Sequence, residues 1–262
     1  MRILVCMKQV PDPARTQYGA NDTLNRNGAD QITNPADASA LEFAYLLKNT
    51  CGCQAEIWAL SMGTKRAANM LRQAASLGAD HLVLISDPKF AGSDSYATAA
   101  ILSAAIRHLG SFDLVLCGRR SIDGETGQVG PELSVFLDFP CLTNVVSVDH
   151  ISETEIQATA MTEIALQSVR LSLPAILTVC ESHAKSHVPS IRELRAATGA
   201  KLTILSNYEL ALPINTIGST GSRTRVIQTH IQDTCLRGVI PERDVPSGIM
   251  QIAKWILEVE QS

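Results

Sequence analysis

Phe112–Leu137 reads FDLVLCGRRSIDGETGQVGPELSVFL, and its three successive parts decide the fold. Phe112–Cys117 is a short run of Val and Leu with no polar alternation, which predicts a strand buried on both faces. Gly118, Gly124, Gly127 and Gly130 then punctuate a polar loop. Thr126–Leu137 carries a helical pattern. Pro131 has no N–H to donate and must lie in the first turn, so this helix is expected to start near Gly127. A buried strand, a glycine-rich loop and a helix form one α/β unit.

The same unit recurs upstream. Arg2–Met7 (RILVCM), Ala55–Leu60 (AEIWAL) and His81–Ser86 (HLVLIS) are further short apolar runs bounded by turn residues, predicted as strands of a parallel sheet. Between them, Asn34-Pro35 reads as an N-cap followed by proline at the first helical position, with Asp37 in the first turn. Gly63-Thr64 opens a second helical pattern that closes at Gly78, and Ser93-Asp94 opens a third that ends at Gly110. Strands alternating with helices predict a mostly parallel sheet flanked by helices, joined by right-handed crossovers.

After Cys141 the rhythm changes. Leu142–Val148, Glu155–Met161 and Ile164–Leu171 leave no room for helices and read as antiparallel additions. Pro174–Val179 reads as one more buried strand. From Glu181 periodicity is lost, and residues 206–247 hold Gly and Pro with few apolar runs. The expected organisation is an α/β domain over residues 1–205 and an extended C-terminal arm over 206–262. The arm ends in a helix, Ser247–Glu260, that docks on a partner subunit.

Composition narrows the function classes. The chain has 262 residues, 45% apolar and 18% charged, with a net charge of −4, which argues for a packed core and against electrostatic nucleic-acid binding. Aromatic residues are only 4%, too few for a base-stacking platform. No apolar run reaches the roughly 18 residues of a membrane span, and the N-terminal apolar stretch is too short for a signal peptide. The chain reads as soluble and cytoplasmic. Its 7 cysteines are dispersed, so a disulfide scaffold is not expected. Cys6, Cys117 and Cys180 read as small buried hydrophobes, and Cys51-Gly52-Cys53 lacks the second pair that a zinc site needs.

Ligands of open α/β sheets bind at the carboxyl ends of the strands, where strand order switches. Cys6-Met7-Lys8, Leu60-Ser61-Met62-Gly63, the turn after Ser86 and Gly118–Gly130 converge there. The 118–130 loop offers close backbone approach, two arginines and a helix start, which together suit phosphate. The G-x-G-x-x-G fingerprint, the Walker pattern and the G-x-S-x-G elbow are all absent. No histidine has an evident nucleophile partner. A nucleotide site without a general acid–base pair fits a redox carrier, whose cofactor does the chemistry. A stress-type adenine-nucleotide module shares the sheet and loop without needing a long arm, and a nucleotide hydrolase would need a base or phosphate loop that is missing.

The sequence resembles the β subunit of electron-transfer flavoproteins. The resemblance rests on RILVCMKQVPD (2–12), NPADASALEFAYLLK (34–48), ALSMGTKRAANMLRQAASLGAD (59–80) and GRRSIDGETGQVGPELSVFLDFP (118–140). It continues through LPAILTV (173–179), PSIRELRAATGAK (189–201) and IGSTGSRTRV (217–226). It implies an adenine-nucleotide-hydrolase-like α/β domain with an arm that wraps onto an α subunit carrying one FAD. Ordinary members hold AMP in the β subunit. Electron-bifurcating members hold a second FAD there, take a hydride from NADH and send one electron to ferredoxin or flavodoxin. The other electron goes through the α-subunit FAD to an acyl-CoA dehydrogenase-type partner.

DGETGQVGP (123–131) is close to the DGDTAQVGP form of bifurcating β subunits, with Glu125 and Gly127 as departures; the glycine only frees the backbone. Ser93–Thr98 resembles the DTxAT helix start of that branch, with Ser95 in place of threonine. FAD is therefore favoured over AMP, which stays open as the alternative. The resemblance carries cofactor contact over to Cys6, Asn34, Asp37, Met62, Asp94, Ser95, Thr98, Gly118, Arg119, Arg120, Asp123, Gly124, Thr126, Gly127, Gln128 and Val129. Cys6 and Met62 could equally be core packing, and Asp123 a loop cap. The family's dehydrogenase-docking loop falls on about His187–Lys201, where Val188, Ile191 and Leu194 are apolar anchors among charges.

Overall fold

The computed structural model describes residues 1–13, 31–50, 54–181, 187–227 and 245–259. The chain opens with β1 (Arg2–Cys6), β2 (Gln9–Pro11) and β3 (Gln31–Thr33), the last two forming a small antiparallel pair. Next come α1 (Pro35–Thr50), β4 (Glu56–Met62), α2 (Ala67–Ser76), β5 (His81–Ile85), α3 (Ser95–Leu109), β6 (Leu114–Gly118) and α4 (Val129–Leu137). The second half runs β7 (Cys141–Ile151), β8 (Glu155–Met161), β9 (Leu166–Ser172), β10 (Ala175–Val179), α5 (Ile191–Thr198) and β11 (Leu202–Leu205). Two single turns, α6 (Asn207–Leu210) and α7 (Gly218–Gly221), precede α8 (Val245–Val259).

Among the described residues the main sheet has nine strands, in the order β11-β5-β4-β1-β6-β10-β7-β8-β9. Pairing is parallel from β11 to β7 and antiparallel through β7, β8 and β9. This is the α/β architecture that the alternation of runs predicts.

The side-chain period of two explains why the strands read as unbroken apolar runs. Ile3 and Val5 of β1 face one core with Leu41 of α1 and Leu71 of α2. Leu4 and Cys6 face the other, with Ile101 of α3 and Leu133 of α4. The chain leaves β1 toward β4 and β5, then crosses back to place β6 on the other side of β1. Loops from β1 and β6 thus diverge at their carboxyl ends, and a crevice opens between them.

Several boundaries differ from the sequence reading. The 118–130 loop keeps two left-handed residues, Glu125 (φ 51°) and Gly127 (φ 62°), so α4 begins only at Val129. Gly127 lies in the left-handed region, as a glycine that frees the backbone should. The segment after Glu181, which shows no periodicity, contains α5 and β11. β11 extends the sheet beyond β5 in parallel register, with Leu202 opposite Leu82 and Leu205 opposite Ile85.

Residues 206–227, assigned by sequence to the arm, pack with the α/β unit, which spans Met1–Ile227. Ile217 is buried in the core and Leu210 and Leu212 pack against it, but these apolar residues are widely spaced and the remaining contacts are polar or through backbone, which leaves no apolar period to read. Buried Asn207 receives Leu212 N–H at 3.1 Å and donates to Leu212 O at 3.0 Å, while its own N–H donates to Asp87 Oδ2 at 3.0 Å. Ser219 N–H donates to Ala91 O at 3.1 Å.

The second unit is Gln228–Ser262; residues 228–244 of the expected arm lie outside the described residues. Within that unit α8 takes the place of the expected terminal helix and carries exposed Ile249, Ile252, Trp255 and Leu257. Cys51–Cys53 also lies outside the described residues. Cys6, Cys117 and Cys180 are free and buried. Among the described residues no helix is long and apolar enough to cross a membrane, and no group of three His, Cys, Asp or Glu could hold a metal ion.

Candidate functional site

A cleft of about 340 Å³ occupies the crevice, lined from the ends of β1, β4 and β6 and the starts of α3 and α4. Every cofactor-contact candidate drawn from the sequence lines it. The structure brings them together through three straps, and several serve the straps rather than the open space.

The first strap is the start of α1. Asp37 is 6% exposed, and its two oxygens are both engaged. Oδ2 accepts Lys8 N–H at 2.7 Å and Oδ1 accepts Gly118 N–H at 3.1 Å, so one carboxylate ties the ends of β1 and β6 together. Burial pushes this carboxyl up to about 7, against hydrogen bonds from the Asn34 side chain and the Lys8 and Gly118 amides that pull the other way. Gly118 is required here. A Cβ would land on Asp37 Oδ1 and 2.8 Å from the Ala36 carbonyl carbon.

Asn34, 1% exposed, pins the loop after β6. Its Nδ2 donates to Arg120 O at 2.9 Å and its Oδ1 accepts Ile122 N–H at 3.2 Å. Lys8 Nζ reaches Asp123 Oδ1 at 2.6 Å and Oδ2 at 2.9 Å, closing the second strap across the cleft. Asp123 is thus a loop clamp, and Lys8 is the partner that the sequence reading missed. The two lie 115 positions apart, and no local pattern pairs them.

The third strap joins α3 to the 222–224 turn. Asp94 caps α3 by accepting Ala97 N–H at 2.9 Å. Its Oδ2 accepts Arg223 N–H and Thr224 N–H, both at 2.7 Å, and Thr224 Oγ1 at 3.0 Å. Burial raises the Asp94 carboxyl, but these donors outweigh it and hold the group below the usual range. Ser95 Oγ lies 3.0 Å from Gln128 Oε1 and 3.1 Å from Glu132 Oε1, fixing α3 against α4. Burial raises the Glu132 carboxyl, opposed by the Ser95 bond and assisted by Asp94. The contribution of residues 222–224 was invisible in the sequence for the same reason as Lys8.

What remains directed at a ligand is cationic and donor-rich. Among the described residues, Arg119 Nε is buried with no hydrogen-bond partner. The Arg119 guanidinium approaches Glu181 only to 3.8 Å, and that of Arg120 approaches Glu125 only to 3.7 Å. Partly exposed pairs at such distances hold little energy. The start of α4 adds free backbone N–H groups at a positive dipole end. Among the described residues no histidine lines the cleft. Cys117 is held well above an ordinary thiol by its hydrogen bond with Cys6 and then by burial, so it supplies no thiolate. Among the described residues the cleft offers guanidiniums and backbone donors that suit an anionic group.

The docking candidates lie elsewhere. Val188, Ile191 and Leu194 are exposed on and before α5. His187 anchors this segment to α1, with its N–H on Glu42 Oε2 at 2.9 Å and its ring stacked on Tyr45 at 4.2 Å. Glu193 braces it, accepting Ser190 N–H at 2.7 Å.

Known proteins agree with this fold. The family described as electron transfer flavoprotein domain matches residues 22–205. The electron transfer flavoprotein subunit beta of Thermoanaerobacterium thermosaccharolyticum is 35% identical over 256 residues, covering 97% of this chain and 97% of that protein. The acryloyl-CoA reductase electron transfer subunit gamma of Anaerotignum propionicum is 36% identical over 237 residues, covering 87% and 88%. The caffeyl-CoA reductase-Etf complex subunit CarD of Acetobacterium woodii is 34% identical over 230 residues, covering 87% of each. The chain belongs to the electron transfer flavoprotein family, and along nearly its whole length it is similar to the β subunit.

Proposed function

We propose that this chain is the β subunit of a cytoplasmic, heterodimeric electron-transfer flavoprotein that holds FAD in the cleft at the ends of β1 and β6. A flavin held there would supply hydride chemistry with NADH as donor, and the electrons would be destined for ferredoxin or flavodoxin and, by way of the α-subunit FAD, for an acyl-CoA dehydrogenase-type partner. The observation that carries the reading is the pair of guanidiniums, Arg119 with its unpartnered Nε and Arg120 no closer than 3.7 Å to Glu125, on a loop fixed in place by Asn34 and by the Lys8–Asp123 clamp. Relatives named as electron-transfer subunits of acryloyl-CoA and caffeyl-CoA reductase complexes support an acyl-CoA-linked partner.

The chain's own residues bind and orient. Gly118 lets the backbone approach closely, the α4 amides and Arg119 meet phosphate, and Arg120 at the cleft mouth balances negative charge. Val188, Ile191 and Leu194 form the docking anchor for the dehydrogenase, and α8 docks on the α subunit.

One observation favours a second reading, in which the cleft holds AMP. Its volume of about 340 Å³ is near the lower end for small-molecule sites and suits an adenylate, whereas a full dinucleotide must reach beyond it. Anaerobic mixing of the α–β complex with NADH, ferredoxin and the dehydrogenase tests the electron path. Reduction of ferredoxin that depends on the acyl-CoA acceptor supports it, and its absence in a complex rich in FAD rejects it. Arg120→Ala should weaken flavin retention or shift its spectrum; an unchanged variant removes the role given to Arg120.

A further inference from the structure

A second cleft of about 360 Å³ opens beside the first and shares Arg119, Arg120 and Gly127 with it. Its remaining wall is Thr143, Asn144 and Thr178. That wall exists because β7 carries a bulge. Leu142 pairs with Leu177 and Val145 with Val179, so β7 uses one residue more than β10 between the two pairings. Asn144 sits in the left-handed region at φ 58°, where asparagine is among the best-tolerated non-glycine residues. Its displaced N–H donates to Thr178 Oγ1 at 3.2 Å, and Thr178 is 2% exposed. The distortion is therefore held by a buried side chain of the next strand, beside a cleft.

The chemistry of this lining is one-sided. Among the described residues it contains two guanidiniums, two hydroxyls and an amide, and no carboxylate. The carboxylates nearest the arginines, Glu181 and Glu125, stand off at 3.8 and 3.7 Å. Arg119 Nε is buried and lacks a partner among the described residues. A guanidinium fork beside hydroxyl and amide donors matches a tetrahedral oxyanion better than a neutral group.

We propose that the second cleft is an anion site that takes a phosphoryl group, either free or carried by a nucleotide, in addition to whatever fills the first cleft. The inference rests on the reading of Arg119 and Arg120 as phosphate ligands, which the two clefts share, and on the wall that the β7 bulge adds to the second; it does not depend on the choice between FAD and AMP.

The test uses the chain in complex with its α subunit, in phosphate-free buffer. Inorganic phosphate is titrated in and followed by phosphorus NMR line broadening. Saturable binding is expected, weakened about tenfold or more by Arg119→Gln. It should also weaken severalfold in Asn144→Gly, which keeps the left-handed backbone, and in Thr143→Val, which keeps the shape. The nucleotide that co-purifies with the complex should be retained in the last two variants. Displacement of phosphate by ADP assigns the phosphoryl group to a nucleotide, and persistence of phosphate assigns the site to the free ion. Binding without saturation, or saturable binding indifferent to Asn144→Gly and Thr143→Val, overturns the proposal. So does loss of the co-purifying nucleotide in those two variants, because the second cleft would then be a continuation of the first.

Discussion

Gly118 N–H donates to Asp37 Oδ1 at 3.1 Å, and the space a side chain would need at Gly118 is already filled by that same carboxylate and by the Ala36 backbone. One contact therefore sets the floor of the cleft, and it joins the last residue of β6 to the first turn of α1. Gly118→Ala should cost about 1–3 kcal/mol through overpacking. It should also release the bound nucleotide, because the loop starts at this residue. Chemical denaturation and nucleotide content of the α–β complex check both.

Asp37 makes the stability of the chain depend on pH. Its carboxyl is raised from 3.8 to about 7, chiefly by burial. Between those values the folded chain retains a proton that the unfolded chain has lost, so this contribution falls as pH rises through the range and is largest below it. Asp37→Asn removes that slope. It also places an amide NH₂ against one of two backbone N–H donors, at about 1–3 kcal/mol near neutral pH. Denaturation midpoints of both proteins between pH 4 and pH 8 would show the wild-type slope and its loss in the variant.

The Lys8–Asp123 clamp separates stability from binding. The Lys8 side chain is 48% exposed, so the pair should contribute only about 0–1 kcal/mol. Lys8→Met should therefore leave the melting temperature nearly unchanged. Nucleotide should dissociate faster in this variant, because the 118–127 loop loses one of its two anchors. Exchange of bound for labelled nucleotide measures it.

Exposed Leu194 offers a clean separation of docking from folding. Leu194→Glu should shift stability by no more than about 0.5 kcal/mol, as surface changes do. Nucleotide content should stay the same, while electron transfer to the dehydrogenase slows. Equal rates for wild type and variant would remove α5 from the docking surface.

The central strands were legible because each is buried on both faces, as Ile3, Leu4 and Val5 show. β11 was not, because it is four residues long and Thr203 and Ile204 face solvent. α5 was hidden by its shortness and its charged face, which make two turns of helix look like polar loop. In the cleft, the glycine-and-arginine loop was legible because its backbone and charge demands are local. The Lys8–Asp123 and Asp94–Thr224 contacts were not, since they join residues 115 and 130 positions apart.

The most direct test of the account is the nucleotide content of the α–β complex, extracted and separated by chromatography. The account predicts two FAD and no AMP per heterodimer. One FAD with one AMP would contradict it and make this chain part of a single-path electron carrier.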